Sequence, residues 1–507
     1  TEEELILGQD ARTRRISMAE NAHLARWWNH GDLQGDSCQQ RVGSATSAPA
    51  HETNTITHSW LQKQLTKASR SRILDYSITE AQLMLQKEAR RFLKNMCTEE
   101  FVREMEEDEF GFSPELWRKM ADLDWIGLPF PEQYGGAGGS VLDLAILYEE
   151  MGRVMLPSPH LSTAILCGLT ILEAGTEQQK TELLPRIIGG DLILALALSE
   201  PASCWEGKGW NAEGVNLQAK KESDHFIIDG SKLFVYDAHV ANQLVCVTRT
   251  AGKNDAENGI TLFLVDTTAD GVTCTPQATT AGDKPNEVVF NNVNVTRDNI
   301  IGSLDSGWEP LSKSLKVGAI LLCAEMVGAG QRALEIAVDY AKTRVQFEQP
   351  IGINQYVQEH CVNCLAYVDA SRWMTYSAAW MLAEGLACDM EVASAKSWTS
   401  DAHEKVCWYA HQVLAGAGYM DDHGLLPLIS RRGLAKRFYL GDSDFHLKTV
   451  LEQVKTWEAP KLPKGSRSGL WDNPPEQEVP AWEPWRERYE HIRKRKEERM
   501  QRLESSL

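Results

Sequence analysis

The sequence predicts an α+β protein built as three successive domains: helical, antiparallel β, then helical again. Three observations predict it. From about residue 76 to 191, apolar residues recur at helical spacing. Over 192–308 the chain turns into short Val-, Ile- and Phe-rich runs separated by turn residues. Over 309–456 long, Ala-rich helical stretches return with short links, the texture of a bundle.

In the first of these segments, Leu116, Trp117, Met120 and Leu123 fall on one helical face, as do Leu142, Leu144, Ile146, Leu147 and Met151. Between them lies EQYGGAGGS. Its glycines mark a turn, since it lacks the Lys-Ser/Thr of a phosphate loop and does not join a strand to a helix. The runs LILALALS, FIIDGSKLFV, QLVCVTR, ITLFLVD and NEVVFNNVNV read as strands, with turns at 229–230, 258–259 and 282–286. Beyond them, helix is expected over 315–345, 355–384, 392–413 and, as one last stretch, about 425–456.

Two appendages flank this body. Residues 1–75 read as an N-terminal extension and linker, in which a short amphipathic piece carries Trp27 and Trp28. Residues 457–507 form a Pro- and Trp-rich tail followed by a basic helix, suited to docking on a partner or on its own protomer.

Composition bounds the function. The 507 residues are 43% hydrophobic and 24% charged, enough to bury a sizeable core. A net charge of −19 argues against nucleic-acid binding, which needs a basic footprint. Eleven cysteines without a framework read as reduced thiols, hence the cytoplasm or, in a eukaryote, the mitochondrial matrix. Cys361 and Cys364 form a CxxC after His360, but no second ligand pair stands at zinc spacing, so core packing is expected and no metal. No signal-type stretch opens the chain, and the apolar run 317–330 reads as too short to span a bilayer.

Several segments together resemble one family. PEQYGGAGGS (131–140) and AGTEQQKTELLP (174–185) look like structural landmarks of the acyl-CoA dehydrogenases, and LALALSEP (194–201) is similar to their strand ending in Ser/Thr-Glu-Pro. FIIDGSKLFVYDAHVA (226–241) resembles the strand pair that stacks on the flavin. AKTRVQFEQPIGINQ (341–355) resembles R-x-x-F-G-x-P-I-x-x-x-Q, and QVLAGAGY (412–419) resembles Q-x-x-G-G-x-G-Y. The resemblance covers about 76 to 455. It implies an N-terminal helical domain, a middle β domain and a C-terminal four-helix bundle, with FAD as cofactor.

The site residues it implies are these. Backbone near Leu198 and Ser199 meets the polar edge of the flavin ring, where reduction puts negative charge. Phe234 and Tyr236 lie against the ring as an aromatic wall. Arg344, Phe347, Gln355 and Gln412, with the close backbone approach allowed by Gly416 and Gly418, grip the ADP part of the adjacent subunit's FAD. That implies a dimer or tetramer, with an acyl-CoA substrate and an electron-transfer flavoprotein as partner. Two departures stand out: Glu348 replaces a Gly, and ASCWEGKGW replaces the family's G-x-G-S-D, so that Trp205 stands where a Ser would bond the pyrophosphate.

The reaction implied is α,β-dehydrogenation of an acyl-CoA thioester, with a carboxylate removing the α-proton. At the family's two usual Glu positions this sequence has Leu440 and Gly318. Asp442, in GDSDFH, is then the candidate base, with Asp444 and His446 as lesser candidates. Alternatively, the chain is a non-catalytic or partner-dependent subunit of a hetero-oligomer, or Asp442 merely caps or braces a helix. A flavin oxidase or monooxygenase on the same fold is a further alternative.

Overall fold

The computed structural model describes residues 78–205, 207–252, 257–420 and 424–456, with the side chains of Cys204, Trp205 and Thr456 excepted. They belong to one compact unit spanning Leu74–Leu507. Trp27, Trp28, the side chain of Trp205 and the tail from 457 lie outside the described residues.

The first helices are set by their caps. Helix α1 (Glu80–Met96) starts at Thr79, whose hydroxyl accepts from the Gln82 amide while the Gln82 side chain accepts from the Thr79 amide. Helices α2 (Glu99–Glu107) and α3 (Pro114–Asp122) are capped by Thr98 and Ser113. Helix α4 (Val141–Arg153) repeats the reciprocal cap through Ser140 and Asp143. A π-helical turn (Leu161–Gly168) leads into α5 (Leu169–Ala174), and α6 (Glu177–Ile188) closes the domain. Gly135 and Gly138 take positive φ in the expected turn.

The β domain has two sheets. In one the order is β1–β4–β5 (Leu194–Ala197, Gln243–Arg249, Ile260–Asp266); in the other it is β2–β3–β7–β6 (Ala219–Glu222, His225–Tyr236, Pro285–Thr296, Val272–Pro276). The domain is not wholly antiparallel as the sequence suggested: β1 and β4 run parallel, Leu194 opposite Gln243. After β1 the chain leaves for the second sheet, builds the β2–β3 pair, and re-enters alongside β1 in the same direction. A short helix α7 (Pro201–Trp205) follows β1. Phe226, Phe263, Ile228 and Phe290 fill this domain's own core.

Helix α8 (Trp308–Thr343) is 36 residues long. By length and composition it could cross a membrane, contrary to the sequence reading, but 89% of its apolar window is buried inside the protein. It is a core helix. It crosses α4 so closely that only glycine fits: a Cβ at Gly152 would stand 2.0 Å from the Glu325 carbonyl oxygen, and one at Gly328 would stand 1.8 Å from that of Glu149. This crossing joins the two helical domains into a single apolar core. The carboxylates at the crossing are each matched. Glu150 takes a two-pronged bond from Arg90 (2.6 and 2.8 Å), Glu149 takes the Tyr376 hydroxyl (2.8 Å) and Arg372, and Glu325 pairs with Lys436 at 3.0 Å. Removing one partner would leave a buried charge uncompensated, at a cost of about 3–5 kcal/mol.

A two-stranded hairpin, β8–β9 (Val345–Gln346, Gln349–Pro350), links α8 to α9 (Gln355–Ala383), followed by α10 (Asp389–Leu414). The last expected helical stretch is in fact two, α11 (Leu426–Phe438) and α12 (Ser443–Thr456). The break falls at Leu440 and Gly441, both with positive φ (59° and 100°). It is held by two side chains. Asp442 Oδ1 accepts from the Phe445 amide at 2.8 Å and so caps α12. The buried Lys396 ammonium donates to the carbonyls of Arg437 (2.9 Å) and Gly441 (2.8 Å) and to Ser400. Cys364 is buried with its thiol toward the Val406 carbonyl, and Cys361 is half-buried beside it.

Candidate functional site

Where β3 ends, the strand is bulged: its register with β7 shifts between Lys232 and Val235. The bulge puts Phe234 at φ 55° and leaves its ring 38% exposed. Phe234 and Tyr236 then both line one cavity of about 440 Å³, bounded also by Trp210, by the 279–285 loop and by the α11–α12 break. Its walls are aromatic. The Tyr236 and Tyr439 ring centroids are 4.2 Å apart, and Trp210 stands edge-on to Tyr439 at 5.2 Å. Burial, reinforced by the neighbouring Asp283 carboxylate, pushes the Tyr236 phenol well above its ordinary value, so it stays protonated. A largely apolar cavity walled by aromatic rings suits a planar cofactor and the carbon chain beside it.

Two carboxylates line this cavity, Asp283 and Asp442. Asp442 is half-buried and spends Oδ1 on the helix cap. Asp283 has Oδ1 on the Thr279 hydroxyl, while its Oδ2 is buried without a hydrogen-bond partner. Asp444 is exposed, and neither it nor His446 lines the cavity. His446 is buried with Nε2 2.8 Å from the Leu440 carbonyl. Desolvation, then the Lys396 charge, pull its pKa down to about 4, so it is neutral and serves to brace the break.

Leu198 and Ser199 stand just behind this wall and do not line the cavity. The Leu198 carbonyl accepts from the buried Lys232 ammonium at 2.9 Å, and Ser199 Oγ donates to the Gly209 carbonyl at 2.7 Å. Lys232 also pairs with Glu200 at 2.7 Å, and Glu200 accepts from the Asn216 and Leu217 amides. The Ser-Glu-Pro segment is thereby locked in place beneath the site.

The remaining residues form a separate surface. Phe347 and Glu348 are the two turn residues of the β8–β9 hairpin, both at positive φ (53° and 65°), as a primed two-residue turn demands. Glu348 where the family has Gly therefore carries some backbone strain. Phe347 is 97% exposed. Arg344, at the end of α8, is exposed, and among the described residues its guanidinium has no partner. Gln355 and Gln412 are exposed at the start of α9 and the end of α10. Gly416 is open, with no atom within 4 Å of an added Cβ, whereas Gly418 is buried with such a Cβ 3.0 Å from His411. None of these seven lines the cavity. A bare guanidinium fork and a bare phenyl ring held out by a rigid turn are a donor set that fits a dinucleotide from outside the protomer.

Sequence reasoning missed Asp283, Trp210 and Tyr439. Asp283 stood in GDKPN, whose turn chemistry masked any other role; Tyr439 adjoins Leu440 and was within reach.

Family models match the chain in order: acyl-CoA dehydrogenase N-terminal domain over residues 79–191, middle domain over 195–293 and C-terminal domain over 305–455. An acyl-CoA dehydrogenase of Bacillus subtilis is 32% identical over 375 residues, 72% of this chain and 96% of the relative. A caffeyl-CoA reductase–Etf complex subunit, CarC, of Acetobacterium woodii is 29% identical over 68% of this chain and 90% of its own length. Among solved structures, butyryl-CoA dehydrogenase from Megasphaera elsdenii superposes with a TM-score of 0.69 at 27% identity, covering 75% of this chain and all of that one. The chain belongs to the acyl-CoA dehydrogenase family of FAD-dependent oxidoreductases.

Proposed function

We propose that the protein removes hydrogen from the α and β carbons of an acyl-CoA thioester and passes the electrons to an electron-transfer flavoprotein. The observation that carries this is the aromatic cavity at Phe234, Tyr236 and Tyr439, with the Asp442 and Asp283 carboxylates on its wall. FAD, when bound there, supplies the acceptor for the β-hydride. Asp442 takes the α-proton in this reading, and Asp283 is the second candidate for that role. Tyr236, Tyr439 and Trp210 would exclude water and pack against the acyl chain. Arg344 and Phe347, with Gln355, Gln412, Gly416 and Gly418, clasp the ADP part of a neighbouring protomer's FAD, which makes the working unit a dimer or tetramer. The Etf-complex relative supports the electron-transfer partner. The described cysteines are free thiols, in keeping with the cytoplasm or the mitochondrial matrix.

A second reading has one specific observation in its favour: both usual Glu positions, Leu440 and Gly318, are filled by aliphatic packing. In that reading a second, related subunit supplies the chemistry. Anaerobic titration of the purified yellow protein with straight, branched and aromatic CoA thioesters separates the two. Bleaching of the flavin by any of them supports the dehydrogenase; a yellow protein that no thioester bleaches, until a partner subunit is added, supports the second reading.

A further inference from the structure

Beside the aromatic cavity lies a smaller one of about 80 Å³, and Tyr236, Asp283 and Tyr439 are walls of both. The two differ in chemistry. The inner cavity is lined by Ser158, Ser162, Asp237, Lys284, Arg432 and Lys436 as well as Asp283. An end-pocket for a plain alkyl chain would be apolar.

Most of these polar groups are already engaged. Lys436 pairs with Glu325, Lys284 donates to the Glu106 carbonyl at 2.8 Å, and Ser162 donates to Asp237. Two lining residues keep an unused buried atom. Asp283 Oδ2 makes no hydrogen bond of ordinary geometry, although the Tyr236 phenol faces this carboxylate, and Arg432 Nη1 makes only a long ion pair, 3.6 Å from Glu106 Oε1. One is an acceptor and the other a donor. An anionic end group would satisfy Arg432 but face Asp283 and Asp237; a cationic one would satisfy Asp283 but face Arg432 and Lys436. A hydroxyl donates once and accepts as well, so it answers both orphans without adding charge. The volume suits one small polar group, not several carbons.

Resting on the dehydrogenase reading, we propose that the inner cavity recognises a hydroxyl on the distal part of the acyl group, so that the preferred substrate is a hydroxylated acyl-CoA. Its carbon skeleton runs past the aromatic rings and its hydroxyl bridges Asp283 and Arg432.

The test uses matched pairs on the FAD-loaded protein: hexanoyl-CoA against ω-hydroxyhexanoyl-CoA, and phenylpropanoyl-CoA against para-hydroxyphenylpropanoyl-CoA. The readouts are the rate of anaerobic flavin reduction and the Kd from the ligand-induced shift of the flavin spectrum. In at least one pair the hydroxylated member is expected to be preferred about tenfold or more, because the analogue lacking the group leaves buried atoms unpaired. The pair that responds tells an aliphatic alcohol from a phenol. Arg432→Lys, checked for retained flavin, should shrink that preference in Kd by several-fold while leaving the plain member's Kd in place. Equal rates and equal Kd within both pairs in the unaltered protein overturn the proposal. Failure of every thioester to bleach the flavin defeats the dehydrogenase reading instead, and a Kd preference for the hydroxylated member would still mark the cavity as a hydroxyl site.

Discussion

A Cβ built on Gly318 would stand 2.9 Å from Leu440 Cδ1 and 2.7 Å from Leu166 Cδ2. The two positions at which the family places its glutamate thus meet in space, and here they close on one another with aliphatic groups. Leu440 is only 3% exposed. Even one added methyl at 318 overpacks this contact, so Gly318→Ala is expected to lower stability by about 1–3 kcal/mol. Thermal unfolding of the holoprotein checks it; an unchanged Tm would show that the Leu440 side chain moves aside freely.

Asp442 caps α12 and is the proposed base, and one pair of substitutions separates the two roles. Asn caps a helix about as well as Asp, so Asp442→Asn should keep stability within about 0.5 kcal/mol and keep FAD, yet abolish flavin bleaching. Asp442→Ala should lose bleaching and about 0.5–2 kcal/mol as well. Turnover that survives in Asp442→Asn but vanishes in Asp283→Asn would move the base to Asp283.

Arg344→Ala and Phe347→Ala should each release FAD, measured as the ratio of flavin to protein absorbance, while leaving the fold of the protomer intact. Both side chains are exposed and hold nothing in their own chain among the described residues. Unchanged flavin content in both variants would show that this surface is not the dinucleotide clasp.

Ala415 ends α10 at φ 51°, ψ −135°, a conformation that costs a side chain of order 1–3 kcal/mol and that glycine takes freely. Ala415→Gly should therefore stabilise the protein by about 1 kcal/mol in denaturant unfolding, after its greater unfolded-state entropy is counted. A loss of stability would mean that the methyl group makes a compensating contact.

Lys396 gives a pH signature. Burial pulls its pKa from 10.5 to about 8. Between those values the unfolded chain binds the proton and the folded chain does not, so stability from this group rises with pH from about 8 to 10.5 and is flat below 8. The slope is about 1.4 kcal/mol per pH unit at most. Denaturant unfolding of the protein relative to Lys396→Met should show this difference growing across that window; parallel pH profiles would place the lysine's pKa near its ordinary value.

Much of this protein was readable before any coordinates. Strand and helix periods separated the domains, and Arg344, Phe347 and Gln412 stood out because motif spacing is a local property of the chain. The sequence left Asp442 as a base or a cap, and the Phe445 amide, bonded to its Oδ1, shows the cap. The π-turn, the parallel β1–β4 pair and the break at Leu440 were not legible, because each depends on neighbours far away in sequence.

The sequence by itself determined the order of domains, the family and the Arg344–Phe347 motif, since apolar periodicity and short motifs are written within a few residues of one another. Tertiary structure decided what lines the aromatic cavity and the smaller one that shares its walls. Asp283 comes from a turn, Tyr236 from a bulged strand and Arg432 from a late helix, and their meeting depends on how three domains pack, which no local pattern encodes.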